Sequence, residues 1–426
     1  MKWKVSRSRL KGVLAVPPSK SHTVRALLIA SLARGESRIR NPLAQGDGAS
    51  ALRVATSLGA VVRHDEGVAC VAGGGVAALG AGTRSCACDN SGTSMTLFTS
   101  AAALGATPVC FDGDASLRSR PMQQLFAPLR QLGVSVTVHT RQGDVPFTVQ
   151  GPLRGGTAQV NGLSSQFVSS LLLSCPLAQQ DTHLEVVDLH ERPYVEMTRW
   201  WLNRQGIRHE CEPDLSRFVI YGGQSYHPFD LTVPGDFSSA TFGAVAACLG
   251  AGGLMLSGLD FDDPQGDKEV FTVLERMGAR IERGGTGAEV DAPDGLDGGT
   301  FDLNAMPDAL PALCVAATVA RGTTRLVNVA QARIKECDRI AVMCRELGAM
   351  GASVRELPDG IEIRPSALRG AGVCGHGDHR VVMALALAGL IARGETIIDT
   401  AESAAVTYPT FCEDFQRVGA CIDVVD

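Results

Sequence analysis

No apolar run in the sequence reaches the roughly 18 residues needed to cross a bilayer. The strongest candidate, Val381–Ala392, stops at Arg393-Gly394, and the uncharged stretch Ala240–Leu259 is interrupted by Gly250, Gly252 and Gly253, so no membrane association is expected. The opening residues Met-Lys-Trp-Lys-Val-Ser-Arg lack the apolar stretch of a signal peptide, and the expected location is cytoplasmic. Lysine is scarce, with 6 residues against 33 arginines, and the net charge is −6. Such a balance lacks the basic face that binding to a phosphate backbone requires, so no nucleic-acid partner is expected. With 20% charged and 45% hydrophobic residues, a disordered or fibrous chain is excluded.

The 13 cysteines are odd in number and scattered, which reads as reduced, buried thiols and not as a disulfide framework. Zinc spacing is missing from Cys86-x-Cys88 and from Cys337 with Cys344. His376-x-x-His379 is flanked by Gly375 and Gly377, which keep it off a helix, and no third ligand cluster accompanies it. Ala72-Gly-Gly-Gly75 is neither a Walker loop nor a dinucleotide fingerprint and reads as a turn. No metal and no cofactor are therefore expected.

What the sequence does contain is length and glycine. A chain of 426 residues exceeds what one core usually serves, so two domains are expected. Apolar stretches end at Gly35, Gly105, Ala178, Gly250, Gly322 and Gly394, at intervals of 70, 73, 72, 72 and 72 residues. A second set ends at Gly59, Gly133, Gly206, Gly278, Gly348 and Gly419, lying 24 to 28 residues after the first. Six units of about 71 residues follow, each with two helices, nearly all of them expected to be capped by glycine in the left-handed conformation. Short β-rich segments such as Gly133–His139, Gly206–Cys211 and Ala349–Arg355 come after the second helix. Each unit thus reads strand–helix–strand–helix–strand–strand, an α/β pattern with right-handed crossovers. Three units per domain places one joint near Pro234-Gly235 and a second at Pro17-Pro18.

The first helix of each unit opens with Lys20-Ser21-His22-Thr23, Asn90-Ser91-Gly92-Thr93, Ser164-Ser165-Gln166, Asp236-Phe237-Ser238-Ser239, Pro307-Asp308 or Asp378-His379-Arg380. All contain N-cap chemistry, which accounts for the Ser, Thr, Asn and Asp. Capping does not account for Lys20, Arg25, Gln166 and Arg380. Cations oppose the macrodipole at a helix start, and their recurrence there points to a bound anion held jointly by N–H groups and side chains. Arg118-Ser-Arg120-Pro121 precedes the apolar helix Met122–Leu132. Arg333-Ile-Lys335-Glu336-Cys-Asp338-Arg339 crowds five charges before the helix Ile340–Leu347, as a salt-bridged helix end or as a phosphate clamp with a carboxylate at hand.

Together these motifs, with Pro18-Ser-Lys20-Ser21-His-Thr-Val-Arg25 at their head, resemble the enolpyruvyl transferase family, most closely its EPSP synthase (3-phosphoshikimate 1-carboxyvinyltransferase) branch. They occur in the family's order from residue 18 to 412. The branch acting on UDP-N-acetylglucosamine is less similar, because its loop cysteine is absent from Gly113–Arg120. The resemblance implies a two-domain fold of three βαβαββ units each, residues 1–18 plus 235–426 forming one domain and 19–234 the other, with the active site in the cleft between them. It implies carboxyvinyl transfer from phosphoenolpyruvate to a hydroxyl acceptor, most simply the 5-hydroxyl of shikimate 3-phosphate in aromatic amino acid biosynthesis, by a monomer whose partners are these small anions.

By the same resemblance Lys20, Gly92, Arg120, Gln166, Arg339 and Arg380 hold phosphoenolpyruvate. Ser21 and Arg25 take the acceptor's carboxylate; Ser164, Ser165 and Lys335 take its phosphate; Thr93, Gln166, Tyr194, Asp308 and Gln331 complete the acceptor set. Asp308 takes the hydroxyl proton, and Glu336 with Lys20 exchanges the proton at C3. Four positions depart from the pattern: Thr96 and Val406 stand where cations are usual, Glu191 replaces a serine that binds phosphate, and Gln331 replaces an asparagine. Two other readings stand beside this one: the same chemistry on a cyclitol, sugar or nucleotide, and a non-catalytic anion-binding paralogue.

Overall fold

The computed structural model describes residues 1–65, 67–79, 85–249 and 253–425. They form six four-stranded sheets with one common plan. In one repeat the strand Gly156–Asn161 leads into the helix Ser165–Ser174, which returns the chain to the strand Thr182–Val187, parallel to the first. The helix Arg192–Arg204 follows, and then the antiparallel strands His209–Cys211 and Arg217–Ile220. The last of these lies against Thr182–Val187, so the order across the sheet is first, second, fourth, third. All six sheets repeat it, which gives the mixed α/β architecture of βαβαββ units.

The chain divides into two compact units, Pro18–Val233 and Met1–Pro17 with Pro234–Asp426, each with three sheets and its own apolar core. In the second, early strands complete repeats encoded much later. Gly12–Ala15 pairs parallel with Leu254–Ser257, and Lys2–Ser6 lies antiparallel between Thr396–Ile398 and Cys421–Val425. In the first, Asp230–Thr232 runs parallel to Arg34–Arg40 in the same way.

The first helix of every repeat is apolar on all sides and is therefore enclosed. His379–Ile391 has every residue but its last buried, and Phe237–Cys248 has all twelve buried. The second helices bury only some of their residues and are amphipathic. After them Gly59, Gly133, Gly206, Gly278 and Gly419 take positive φ between 68° and 110°, as expected of a left-handed cap. Gly348 does not: it lies inside the helix Arg339–Ala349, and Gly351 at φ 90° turns the chain instead.

The first set of glycines works differently from the expectation. Three of these helices end in an alanine in extended conformation, at Ala33, Ala320 and Ala392, and Gly35, Gly322 and Gly394 lie two residues further on, entering the next strand. An extended exit suits a buried helix that must turn at once into a sheet. Gly105 has no positive φ, Ala178 ends a 3-10 turn, and Gly250 lies outside the described residues. The glycine run is also corrected: Gly73 and Gly74 belong to the strand Val68–Gly74, and only Gly75 turns, at φ 67°. A side chain at Gly73 would meet the Ala30 carbonyl at 2.2 Å, which is why the strand carries glycine where it passes a helix end. All 13 cysteines are free, but Cys421 is exposed and so is not core filler. No helix among the described residues is long and apolar enough to cross a membrane.

Candidate active site

In Pro18–Val233 the openings of Lys20–Leu32, Gly92–Ala102 and Ser165–Ser174 carry the polar groups. The caps are Ser19, Ser91 and Ser164, whose hydroxyls accept from the N–H groups of His22, Ser94 and Gln166. Ser19, one residue before the expected opening, does the capping, which leaves Lys20 at the first helical position. Its ammonium lies 3.4 Å from the Asp47 carboxylate.

Arg25 is buried at 2% exposure. Its guanidinium donates to Thr198 Oγ1 (3.0 Å), Ser169 Oγ (3.4 Å) and the carbonyls of Ser21 (3.0 Å) and Tyr194 (3.2 Å). All four are neutral. Burial pulls its pKa down to about 10, with the Tyr194 phenol opposing the shift. A buried cation among neutral acceptors is costly unless an anion joins it.

Arg120 donates to Asn90 Oδ1 at 3.0 Å and lies over the start of the neighbouring helix. Gln166 donates to Thr93 Oγ1 at 3.4 Å. Thr96 is buried, with its hydroxyl 3.9 Å from Met122 Sδ, so the missing cation is replaced by packing. Glu191 is the N-cap residue of Arg192–Arg204, in left-handed conformation, yet its side chain makes no cap bond to that helix. Its Oε2 accepts instead from the Ser165 hydroxyl (2.8 Å) and N–H (3.3 Å).

In the other unit the centre is Arg339, 1% exposed. It donates from Nη1 to Asp308 (2.7 Å), from Nη2 to Glu336 (2.8 Å) and from Nε to Asp378 (2.8 Å). Burial opposes its charge, but Asp378, Glu336 and Asp308 outweigh burial and hold the guanidinium well above the ordinary arginine range. Arg380, fully buried, reaches Asp308 Oδ2 at 3.3 Å and Asp236 Oδ2 at 3.8 Å, and lies 5.7 Å above the Phe242 ring. Its Nε and Nη1 have no hydrogen-bond partner among the described residues. Burial again opposes the charge, and Asp308 and Asp236 overcome it. Asp308 thus lies between two buried arginines and pairs with both. It does not cap: Pro307–Ala309 is a 3-10 turn, and the helix Leu310–Val319 begins after it without a side-chain cap, a correction to the expected N-cap.

Asp378 and Asp236 do cap their helices, accepting from Arg380 and Val381 and from Ser239 respectively. Arg333 turns to Asp338, Glu356 and the Leu357 and Pro358 carbonyls, so it serves the helix end and not a clamp. Gln331 donates to the Asn304 carbonyl at 3.1 Å, and Lys335 follows on the same loop before Glu336. Glu336, Asp378 and His379 bring ligand-type atoms within 4.8 Å of one another, but Arg339 already supplies the positive charge between the two carboxylates. His376, the other histidine of the pair, is engaged by Glu346 at 2.8 Å.

Sequence reasoning missed Asp47, Thr198 and Ser169, and missed Asp236 and Asp378 as counter-ions. Only the last two carried a signal, in being acids at helix openings beside cations.

Six βαβαββ repeats with arginines and carboxylates gathered at the openings of buried helices define an enolpyruvyl transferase fold. The model of the family described as EPSP synthase (3-phosphoshikimate 1-carboxyvinyltransferase) matches residues 5–415, and the chain belongs to that family. It is 45% identical over 427 residues to the 3-phosphoshikimate 1-carboxyvinyltransferase of Acetivibrio thermocellus, covering 100% of both chains. The enzyme of that name from Methanocorpusculum labreanum is 42% identical over 424 residues, 99% of each chain. Among solved structures, EPSP synthase from Acinetobacter baumannii superposes with a TM-score of 0.82 at 27% identity, covering 100% of both chains. The enolpyruvyl transferase NikO from Streptomyces tendae shares the fold, with a TM-score of 0.79 at 20% identity over 99% of this chain and 98% of that one.

Proposed function

We propose that the protein transfers the carboxyvinyl group of phosphoenolpyruvate to the 5-hydroxyl of shikimate 3-phosphate. The observation that carries the reading is Asp308, a carboxylate paired with both buried arginines, Arg339 and Arg380. A base in that setting accepts the hydroxyl proton as the oxygen attacks C2 of phosphoenolpyruvate. Glu336, entering the cycle in its protonated form, delivers that proton to C3 as the tetrahedral adduct forms and, now a carboxylate, takes one back from C3 as it collapses, and the phosphate leaves as an anion stabilised by the arginines. Phosphoenolpyruvate is trianionic near neutral pH, and Arg380 has two donor atoms still to offer it. Arg25, held only by neutral groups, suits the acceptor's carboxylate.

Phosphate release from phosphoenolpyruvate in the presence of shikimate 3-phosphate tests the reading. Turnover is expected with the phosphorylated acceptor, and Asp308→Asn lowers kcat by about 100-fold or more. No release in the wild type, or equal release by Asp308→Asn, overturns it.

A further inference from the structure

Glu191 stands at the N-cap of one helix and serves another. As the residue before Arg192–Arg204 it could cap its own helix, but its side chain makes no such bond. It reaches across to Ser165–Ser174 and accepts from both the hydroxyl and the backbone N–H of Ser165, the first residue of that helix. The carboxylate is enclosed, 2% exposed, and its backbone is left-handed at φ 53° and ψ 41°. Its neighbour Arg192 is turned to the Asp214 carbonyl. Ser164 caps the same helix through the N–H of Gln166, so Glu191 is a second, charged acceptor on an opening that already has a cap.

We propose that Glu191 is a specificity-determining residue that tunes acceptor binding by competing for Ser165 with the acceptor's phosphate. The inference rests on the proposed reaction and on the assignment of Ser164 and Ser165 to that phosphate which the family resemblance implies. The Ser165 N–H and hydroxyl each carry one hydrogen and both are given to Glu191 Oε2, and a phosphate dianion approaching them meets a carboxylate of like charge. The carboxylate must withdraw for the phosphate to take its place, so part of the interaction with the phosphate is offset by release of Glu191. An acceptor without a phosphate does not meet this competition. Glu191 therefore narrows the preference for the phosphorylated over the unphosphorylated acceptor, and phosphorylated acceptors are held less tightly than the Ser165 donors would otherwise allow.

The test is calorimetric titration of the full-length wild type, Glu191→Ser and Glu191→Gln with shikimate 3-phosphate and separately with shikimate, alongside turnover with phosphoenolpyruvate. Glu191→Ser should bind shikimate 3-phosphate about tenfold or more tightly, with shikimate changed less than twofold. Glu191→Gln, which keeps an acceptor for Ser165 but loses the charge, should gain about threefold and guards against a folding defect in the serine variant. A role confined to holding the helix would weaken both ligands or neither. Unchanged or weaker binding of shikimate 3-phosphate in both variants, an equal gain for shikimate, or no binding of shikimate 3-phosphate to any of the three proteins overturns the proposal. Tighter binding in the variants without turnover in any of them upholds the role of Glu191 and sinks the acceptor assignment instead.

Discussion

The side chain of Arg120 lies where a side chain on residue 92 would have to be: a Cβ built on Gly92 falls 2.6 Å from Arg120 Nη1. Glycine at the first turn of Gly92–Ala102 thus leaves room for a guanidinium over the helix start. Gly92→Ala should displace Arg120 and raise KM for phosphoenolpyruvate by roughly 10-fold or more, a lost charge-assisted bond being worth about 1.5–3 kcal/mol. Stability should hold or rise, because alanine favours a helix by up to about 1 kcal/mol over glycine. Steady-state kinetics with a thermal melt check this, and an unchanged KM refutes it.

Arg25 presents a cation buried among hydroxyls and carbonyls. Replacing it by a side chain of similar length without charge removes a desolvation cost as well as four hydrogen bonds. Arg25→Met is expected to keep its melting temperature within a few degrees while KM for the acceptor rises roughly 10- to 100-fold. The acceptor should then raise the melting temperature of the wild type but not of the variant, as measured by differential scanning fluorimetry.

Arg339 behaves in the opposite way, since three carboxylates depend on it. Arg339→Met leaves them enclosed without their shared cation and should cost about 3–5 kcal/mol. Urea denaturation of both proteins at neutral pH measures the difference. A loss below about 1 kcal/mol would show the cluster to be wetter than its geometry indicates.

Glu346 offers a pH test away from the arginine cluster. It accepts from the N–H of Cys374 (3.0 Å), from His376 (2.8 Å) and from Arg345 (2.9 Å). Burial would raise its pKa, but these donors outweigh burial and hold it below the ordinary 4.5. A depressed carboxylate pKa contributes stability that is complete above the unfolded value and is lost as pH falls through the folded one. The stability gap between wild type and Glu346→Gln, about 1–2 kcal/mol at pH 7, should therefore shrink below pH about 4.5. A gap constant down to pH 3 would exclude the linkage.

The sixfold repeat was legible because Gly59, Gly133, Gly206, Gly278 and Gly419 follow amphipathic helices in a conformation that glycine adopts without strain. Gly35, Gly322 and Gly394 marked the period too, though they serve the strand entrance and not the helix end. Strand partners were not legible: Lys2–Ser6 is a short alternating segment, and nothing in such a segment names Thr396–Ile398 as its neighbour. Among the site residues, arginines at helix openings stood out because they oppose the dipole. Asp47 did not, because an acid in the first turn of Gly46–Ser57 is ordinary helix chemistry, and its tie to Lys20 exists only in three dimensions. Thr198 and Ser169 are neutral hydroxyls whose role depends on Arg25 coming to rest beside them.

The placement of Lys2–Ser6 also sets a timetable for synthesis. This strand is synthesised well before either of its neighbours, Thr396–Ile398 and Cys421–Val425. Gly12–Ala15 must likewise wait for Leu254–Ser257. Pro18–Val233, whose three sheets draw on no residue outside it, can close while the second half is still being translated. Lys2–Ser6 and Gly12–Ala15 have their sheet partners in the later-made segment and stay without them meanwhile. Completion of the other unit is then a late, long-range step that begins only when the last repeat has emerged.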